Sequence, residues 1–249
     1  MPSLYDRPMF YELLHGGRSF DLDHYAGVAA GKRSPVLDVG AGTGRVALEL
    51  ARRGVAVVAL EREPRMVERL AQRLNREPES TRELVQIVAA DVREYEPEAK
   101  HALALCAHNG LAHQRDADEL SSFFAAVRRV LDAGGRFYFD VPVPNPKLLS
   151  GHDGYVPWFR DPVNGAPMRC AEHVEYDAGR RLLRFHIELT RLDADGAKEH
   201  LALELRQFFP DELRALVEAH GFEVESRLVL GDEIFLGCRK LETKRPTCR

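Results

Sequence analysis

Between residues 35 and 141 short apolar runs alternate with longer amphipathic stretches. Pro35-Val36-Leu37-Asp38-Val39 predicts a short buried strand that runs into a glycine cluster. Arg45–Arg53 predicts a helix closed by Gly54 at the position after its C-cap. Val55–Leu60 is β-branched and apolar, the composition of a buried strand. Pro64 opens the next helix, where its missing N–H costs nothing, and Met66, Val67, Leu70 and Leu74 recur at helical spacing. Leu84–Val88 and Ala102–Ala107 predict two more strands. Asp116 and Glu119 have capping-box spacing ahead of Leu120, Phe123, Phe124, Val127, Val130 and Leu131, and Gly134-Gly135 is expected to end that helix. Arg136–Val141 predicts a fifth strand. Strand alternating with helix implies an α/β fold: a Rossmann-like, mostly parallel sheet covered on both faces, with right-handed crossovers.

The flanks follow other periods. Phe20–Ala30 predicts a helix with Leu22, Tyr25 and Val28 near one face. After Val141, Pro142, Pro144 and Pro146 break regular structure. Met168–Tyr176, Arg181–Leu192 and Lys198–Phe208 then read as strands joined at Asp177-Ala178-Gly179 and Asp193-Ala194-Asp195-Gly196. Leu183, Phe185, Ile187 and Leu189 alternate with Arg184, His186, Glu188 and Thr190, as in an antiparallel ribbon with one dry face. A helix at Asp211–His220 and strands at Val224–Leu230 and Glu233–Arg239 follow. The expected organisation is one domain over 1–239, with an N-terminal helical cap at 1–34, an insertion at 142–209 serving as a substrate lid, and a frayed polar tail at 240–249.

Composition narrows the function. The 249 residues carry 35 basic and 39 acidic side chains, a net charge of −4. That balance gives no footprint for nucleic acid. No apolar run is long enough for a membrane span. Met1-Pro2-Ser3-Leu4-Tyr5-Asp6 lacks the pattern of a secretory leader. Cys106, Cys170, Cys238 and Cys248 are scattered without Cys-x-x-Cys spacing, which suggests free thiols in the cytoplasm.

The chemistry concentrates at strand ends. Val36-Leu37-Asp38-Val39-Gly40-Ala41-Gly42-Thr43-Gly44 lies where a strand turns into a helix. Glycines there let the backbone approach a ligand beside the unpaired N–H groups of a helix start. A nicotinamide-binding loop reads Gly-x-Gly-x-x-Gly. Here the third glycine comes one position early, and Arg45 stands in the expected glycine's place. Glu61 ends the second strand, where a carboxylate can accept both hydroxyls of a ribose. Asp91, in Ala89-Ala90-Asp91-Val92, follows the third strand, where a carboxylate can accept an adenine amino group. Singly, each has a plain reading: a tight turn, a solvated acid, a helix cap. Together they mark the edge at which open sheets bind ligands.

With these motifs the sequence resembles class I S-adenosylmethionine-dependent methyltransferases of the small-molecule type, over roughly residues 10–239. The resemblance implies S-adenosyl-L-methionine as cofactor, S-adenosyl-L-homocysteine as product, and a sheet of order 3-2-1-4-5-7-6 with strand 7 antiparallel. It implies that Asp38, Gly40, Ala41, Gly42 and Gly44 hold the methionine part, Glu61 the ribose, and Asp91-Val92 the adenine. Arg62, Met66, Ala107 and His108 are expected to line the same site. The Asn/Asp-Pro-Pro-aromatic motif of nucleic-acid amino-methylating enzymes is missing after strand 4, where Cys106-Ala107-His108-Asn109-Gly110 stands. Asp140 reads as an isolated carboxylate, so no metal is expected.

The N-terminal Phe10-Tyr11-Glu12-Leu13-Leu14-His15 and the segment through His113 resemble bacterial N-methyltransferases of nucleotide-linked amino sugars. The resemblance makes Tyr11 and His113 the candidate catalytic pair near the acceptor. Asn109 and Trp158 are candidate substrate contacts. The pattern departs from those enzymes at Asn109 and Gly110, where they usually carry a small hydroxyl residue. His173 and His186 read as solvated. The expected reaction is in-line methyl transfer to a nitrogen or oxygen of a small-molecule acceptor, with a homodimer left open. Two alternatives stand beside it: a nicotinamide-dependent oxidoreductase, and a non-catalytic S-adenosylmethionine-binding protein.

Overall fold

The computed structural model describes residues 2–32, 34–193 and 196–242. Its main sheet has seven strands in the order β10-β11-β5-β4-β1-β2-β3. The strands are β1 (Val36–Val39), β2 (Val57–Glu61), β3 (Val85–Ala89), β4 (His101–Cys106), β5 (Leu131–Pro142), β10 (Phe222–Leu230) and β11 (Glu233–Lys240). Strands β1 to β5 pair in parallel, whereas β11 is antiparallel to both β5 and β10. This is the 3-2-1-4-5-7-6 order that the resemblance implies. Helices α1 (Pro8–His15), α2 (Leu22–Ala29), α3 (Arg45–Arg52), α4 (Pro64–Leu74), α5 (Glu79–Arg82), α6 (Ala117–Val130), α7 (Pro146–Leu149) and α8 (Leu213–Ala219) complete the regular structure with two single 3-10 turns.

The sheet separates two cores. On one face Phe123, Phe124 and Val127 of α6 and Val217 of α8 pack against Phe137, Phe139 and Phe222. On the other, Tyr25, Ala26 and Ala29 of α2 and Val46, Ala47 and Leu50 of α3 pack against Val36, Val57 and Leu103. Both faces of β1 are therefore buried, which is why it reads as a continuous apolar run rather than an alternating one. The exception is Asp38, a carboxyl taken into the core at the strand's end.

A second, four-stranded antiparallel sheet runs β6 (His152–Arg160), β7 (Pro167–Asp177), β8 (Leu182–Arg191) and β9 (Lys198–Arg206). Its dry face meets the N-terminal segment. Leu4 and Phe10 are buried among Met168, Cys170, Ile187, Leu189 and Leu201. Burying each of the two contributes roughly 1.5–3 kcal/mol. The N-terminus is strapped down by polar contacts as well. Ala202 N–H donates to the Pro2 carbonyl at 2.9 Å. Arg7 reaches Asp161 at 2.9 Å and Glu199 at 2.6 Å. Glu12 of α1 accepts from Arg69 at 2.6 Å and Arg73 at 3.3 Å, both on α4.

Three local expectations are corrected. Helix α6 ends at Val130, and Gly134-Gly135 lies in the irregular start of β5, where the register to β4 shifts between His101 and Leu103. Asp116 caps α6 by accepting from the N–H groups of Asp118 and Glu119, but Glu119 turns back to the N–H of Arg115, so the box is not closed. The proline-rich segment contains α7 and the whole of β6. That strand escapes a period-2 reading because Pro157 sits in a register shift between Val156 and Phe159, and exposed Tyr155, Val156 and Trp158 blur the alternation. Cys106, Cys170 and Cys238 are buried free thiols. Cys248 and most of the tail lie outside the described residues. Among the described residues no helix is long and apolar enough to cross a membrane.

Candidate active site

A cavity of about 990 Å³, counting its open mouth, lies at the carboxyl ends of β1, β2, β3 and β4. Gly40, Ala41, Gly42 and Asp38 form its floor; Glu61, Arg62, Met66, Asp91 and Val92 one side; Ala107, His108, His113 and Tyr11 another. These residues come from the segments that follow four strands and from the N-terminal cap, and the fold brings them to one cavity.

The glycine loop is built for close approach. Gly40 and Gly42 have φ of +73° and +57°, and a Cβ on either would meet no atom within 4 Å. The side chain would project into open space, where a ligand has room against bare backbone. Gly44 serves a different end. It stands at the N-cap of α3 with φ +86°, and a Cβ there would lie 2.2 Å from Leu70 Cδ1. Gly44 lets α3 pack on α4 and is not part of the cavity wall.

Glu61 is held by three backbone donors. Its Oε2 accepts from Gly42 N–H at 2.7 Å, and its Oε1 from Arg62 and Glu63 N–H at 2.8 Å each. Burial raises its pKa, while the three N–H groups oppose the rise. Asp91 is half-exposed. Burial pushes its pKa up, but bonds from Arg93 and the charges of Arg93 and Arg62 outweigh burial, and the net direction is downward. Asp38 is fully buried with Oδ2 unpartnered, and burial lifts its pKa to about 7 against the pull of Arg45. An orphaned acceptor at the cavity floor, bare glycine backbone and a carboxylate at the end of β2 together fit a nucleoside bearing an amino-acid tail.

A second group of lining residues is aromatic: Tyr5, Tyr11, His108 and His113. Tyr11 Oη and His108 Nδ1 are hydrogen-bonded at 2.8 Å, and Tyr5 Oη and His113 Nε2 also at 2.8 Å. The Tyr5 and Tyr11 rings lie 5.7 Å apart, which joins the two pairs. His15 packs against both Tyr11 and His108 at 4.8 Å between centroids. Burial lowers the pKa of His113 to about 4, of His15 to about 4 and of His108 to about 2. Burial also raises Tyr11 to about 12 and Tyr5 well above its ordinary value. At neutral pH this wall is polar but uncharged.

The sequence grouped Tyr11 with His113; the structure bonds Tyr11 to His108 and gives His113 to Tyr5. Tyr5 carries no periodic or motif signal, and it reaches His113 only because the N-terminus is strapped to β9. Trp158 is not brought to the cavity. It is 56% exposed on β6, the outer strand of the small sheet, with the Arg160 guanidinium over its ring. Asn109 is also outside the cavity lining. His173 and His186 are exposed on the small sheet.

The reading of Asp140 as isolated is overturned. Fully buried at the end of β5, it shares Arg18 with Asp21 and Glu233. Asp21 in turn accepts from Arg45 through both oxygens, at 2.6 and 2.7 Å. Spacing along the chain hides this cluster because its members come from residues 18, 21, 45, 140 and 233. A guanidinium stands at its centre. Among the described residues no group of three or more His, Cys, Asp or Glu side chains is arranged to hold a metal ion.

Comparison with known proteins bears on this geometry. Residues 36–135 match the profile of a methyltransferase domain. No curated protein sequence matches the chain. Among solved structures, the CcbJ methyltransferase of Streptomyces caelestis superposes with a TM-score of 0.75 at 23% identity, covering 90% of this chain and 97% of its own. The sugar N-methyltransferase KedS8 of a Streptoalloteichus species gives 0.73 at 19%, covering 97% and 94%. CalS10 of Micromonospora echinaspora, an amino pentose methyltransferase determined with S-adenosylmethionine bound, gives 0.71 at 21%, covering 93% and 96%. Residues 36–135 thus match a methyltransferase domain, and the whole chain shares the fold of these enzymes.

Proposed function

We propose that the protein transfers a methyl group from S-adenosyl-L-methionine to an amine nitrogen of a small molecule of the amino-sugar type. One observation carries the reading. One cavity is lined by bare glycine backbone, Glu61 and Asp91 together with an uncharged set of Tyr and His side chains. The first group suits the nucleoside; the second suits a neutral nucleophile. When bound, the cofactor supplies a methyl group on a sulfonium centre.

The wall favours nitrogen over oxygen. A hydroxyl must lose its proton as it attacks, and an imidazole with a pKa of about 4 is a weak base for that task. A neutral amine has its lone pair ready and sheds its proton after the new N–C bond has formed. His113 and Tyr5 would orient that lone pair, and the strapped N-terminus would exclude water. Positioning of this kind is worth roughly 7–11 kcal/mol in well-oriented reactions. The amino-sugar class rests on the resemblance of the Tyr11 and His113 segments and on the sugar and amino pentose enzymes that share the fold. The free thiols Cys106, Cys170 and Cys238 suit the cytoplasm, where we place the reaction.

Methyl-labelled S-adenosylmethionine, offered with a panel of nucleotide-linked amino sugars, free amines and phenols, tests the reading. Label transferred to amino sugars supports it. Label on phenols alone, or none despite cofactor binding, contradicts it. An NADH fluorescence titration that saturates would favour the oxidoreductase alternative, against which Arg45 already counts.

A further inference from the structure

The segment after β4 has an unusual backbone. His108 and Asn109 are consecutive non-glycine residues in the left-handed region, at φ 54° and 64°. Side chains rarely adopt that conformation, so two in succession persist only if the surroundings hold them. Gly110 pins one end: a Cβ there would lie 2.5 Å from Cys106 Sγ. Ala112 N–H donates to the Asn109 carbonyl at 2.8 Å. The remaining anchor is Asp140, whose Oδ1 accepts the Asn109 N–H at 3.2 Å while its Oδ2 accepts from Arg18 at 3.0 Å.

We infer that Asp140 is a positioning residue for the acceptor side of the cavity. By holding the Asn109 N–H it fixes the double left-handed turn that presents His108 to Tyr11, and Arg18 ties that turn to the N-terminal cap. The chain of contacts is continuous from Arg18 through Asp140 and Asn109 to His108 and Tyr11. It passes from the cap, across the end of β5, and back to the cap. The turn that carries His108 is thus set by the docked cap, not by the β4 segment alone. The relation to an acceptor rests on the methyltransferase reading above; the clamp itself does not.

Asp140 stands among charges: Asp21, Asp140 and Glu233 face Arg18 and Arg45, and burial is the largest cause that raises Asp140 well above the carboxylate range. Asp140→Asn keeps the shape of the side chain in that cluster, and Asp140→Ala removes it.

The experiment is histidine ring ¹⁵N NMR on the full chain, comparing the unaltered protein with Asp140→Ala and Asp140→Asn. In Asp140→Ala the His108 ring is expected to lose its Tyr11-bonded signature. The His113 ring, bonded to Tyr5, keeps its signal. Asp140→Asn retains an oxygen for the Asn109 N–H and is expected to restore the His108 signal. An unchanged His108 ring in Asp140→Ala, or equal changes at His108 and His113, overturns the inference. Should Asp140→Ala not fold, amide exchange of the unaltered protein reads the same bond. Protection of Asn109 N–H at the level of β4 supports the clamp, and exchange at loop rates refutes it. Calorimetry with S-adenosylhomocysteine separates the two readings: both variants should bind within about threefold of the unaltered protein. Failure of all three to bind refutes the methyltransferase assignment while leaving the NMR result to decide the clamp.

Discussion

The two walls of the cavity are built by different means. The side proposed for the nucleoside is local: Asp38, Gly40 and Gly42 are near neighbours in the chain, Glu61 ends β2 and Asp91 follows β3. Its key contacts use backbone, as in the three N–H groups around Glu61. The acceptor side is assembled from distant side chains. Tyr5 meets His113 across 108 residues, Tyr11 meets His108 across 97, and Arg18 meets Asp140 across 122. A wall made of backbone at strand ends follows once the sheet forms. A wall made of long-range side-chain pairs exists only when the cap is docked. The first is suited to a cofactor common to many enzymes, the second to an acceptor that differs among them.

Substitutions should separate the walls. The largest effect is expected on the backbone side. Gly42→Val puts a β-branched residue at φ +57° with its side chain in the cavity. Strain of about 1–3 kcal/mol plus lost room should weaken S-adenosylhomocysteine binding about 100-fold or more by calorimetry. Next, His113→Ala should lower methyl transfer about 100-fold while leaving cofactor affinity within about threefold, read by comparing transfer rate with calorimetry. An equal loss in both would mean the walls are not separable.

The pH dependence of stability gives a third, smaller contrast, because His113 and Asp38, one from each wall, have opposite signs. His113 is held near pKa 4 in the folded chain. The unfolded chain takes up that proton below about 6.5, so His113 costs stability as pH falls from about 6.5 to 4. His113→Gln should flatten that loss by up to about 1.4 kcal/mol per pH unit. Asp38, raised to about 7, works the other way. The unfolded chain gives up its proton near pH 4 and the folded chain keeps it until about 7, so Asp38 costs stability as pH rises through that window. Asp38→Asn should gain on the unaltered protein from pH 4 to 7. Chemical denaturation at several pH values reads both. The smallest effect belongs to Trp158→Ala, which should change neither binding nor transfer by more than about twofold, since the ring is outside both walls.

The same contrast explains what the sequence disclosed. The alternation of strands and helices in the first half follows from their periods, because each element reports its own burial, whereas the seven-stranded order and its antiparallel β11 came with the resemblance. Asp38, Gly42, Glu61 and Asp91 were legible because strand ends put them at one edge. Tyr5 and Arg18 were not, since a lone tyrosine before a helix and an arginine in a loop look like surface residues until the fold closes over them. Asp140 was seen but misjudged. Its partners Arg18, Asp21 and Glu233 are at opposite ends of the chain. Gly44 was recognised as part of a motif, but its role is steric, fixed by Leu70 on a different helix.

A crystal structure with S-adenosylhomocysteine would test the central claim most directly. The account predicts the ribose on Glu61, the homocysteine backbone along Gly40–Gly42, and the sulfur facing the Tyr5–His113 and Tyr11–His108 pairs. A ligand with its ribose away from Glu61, or with its sulfur turned from the Tyr–His wall, would contradict it.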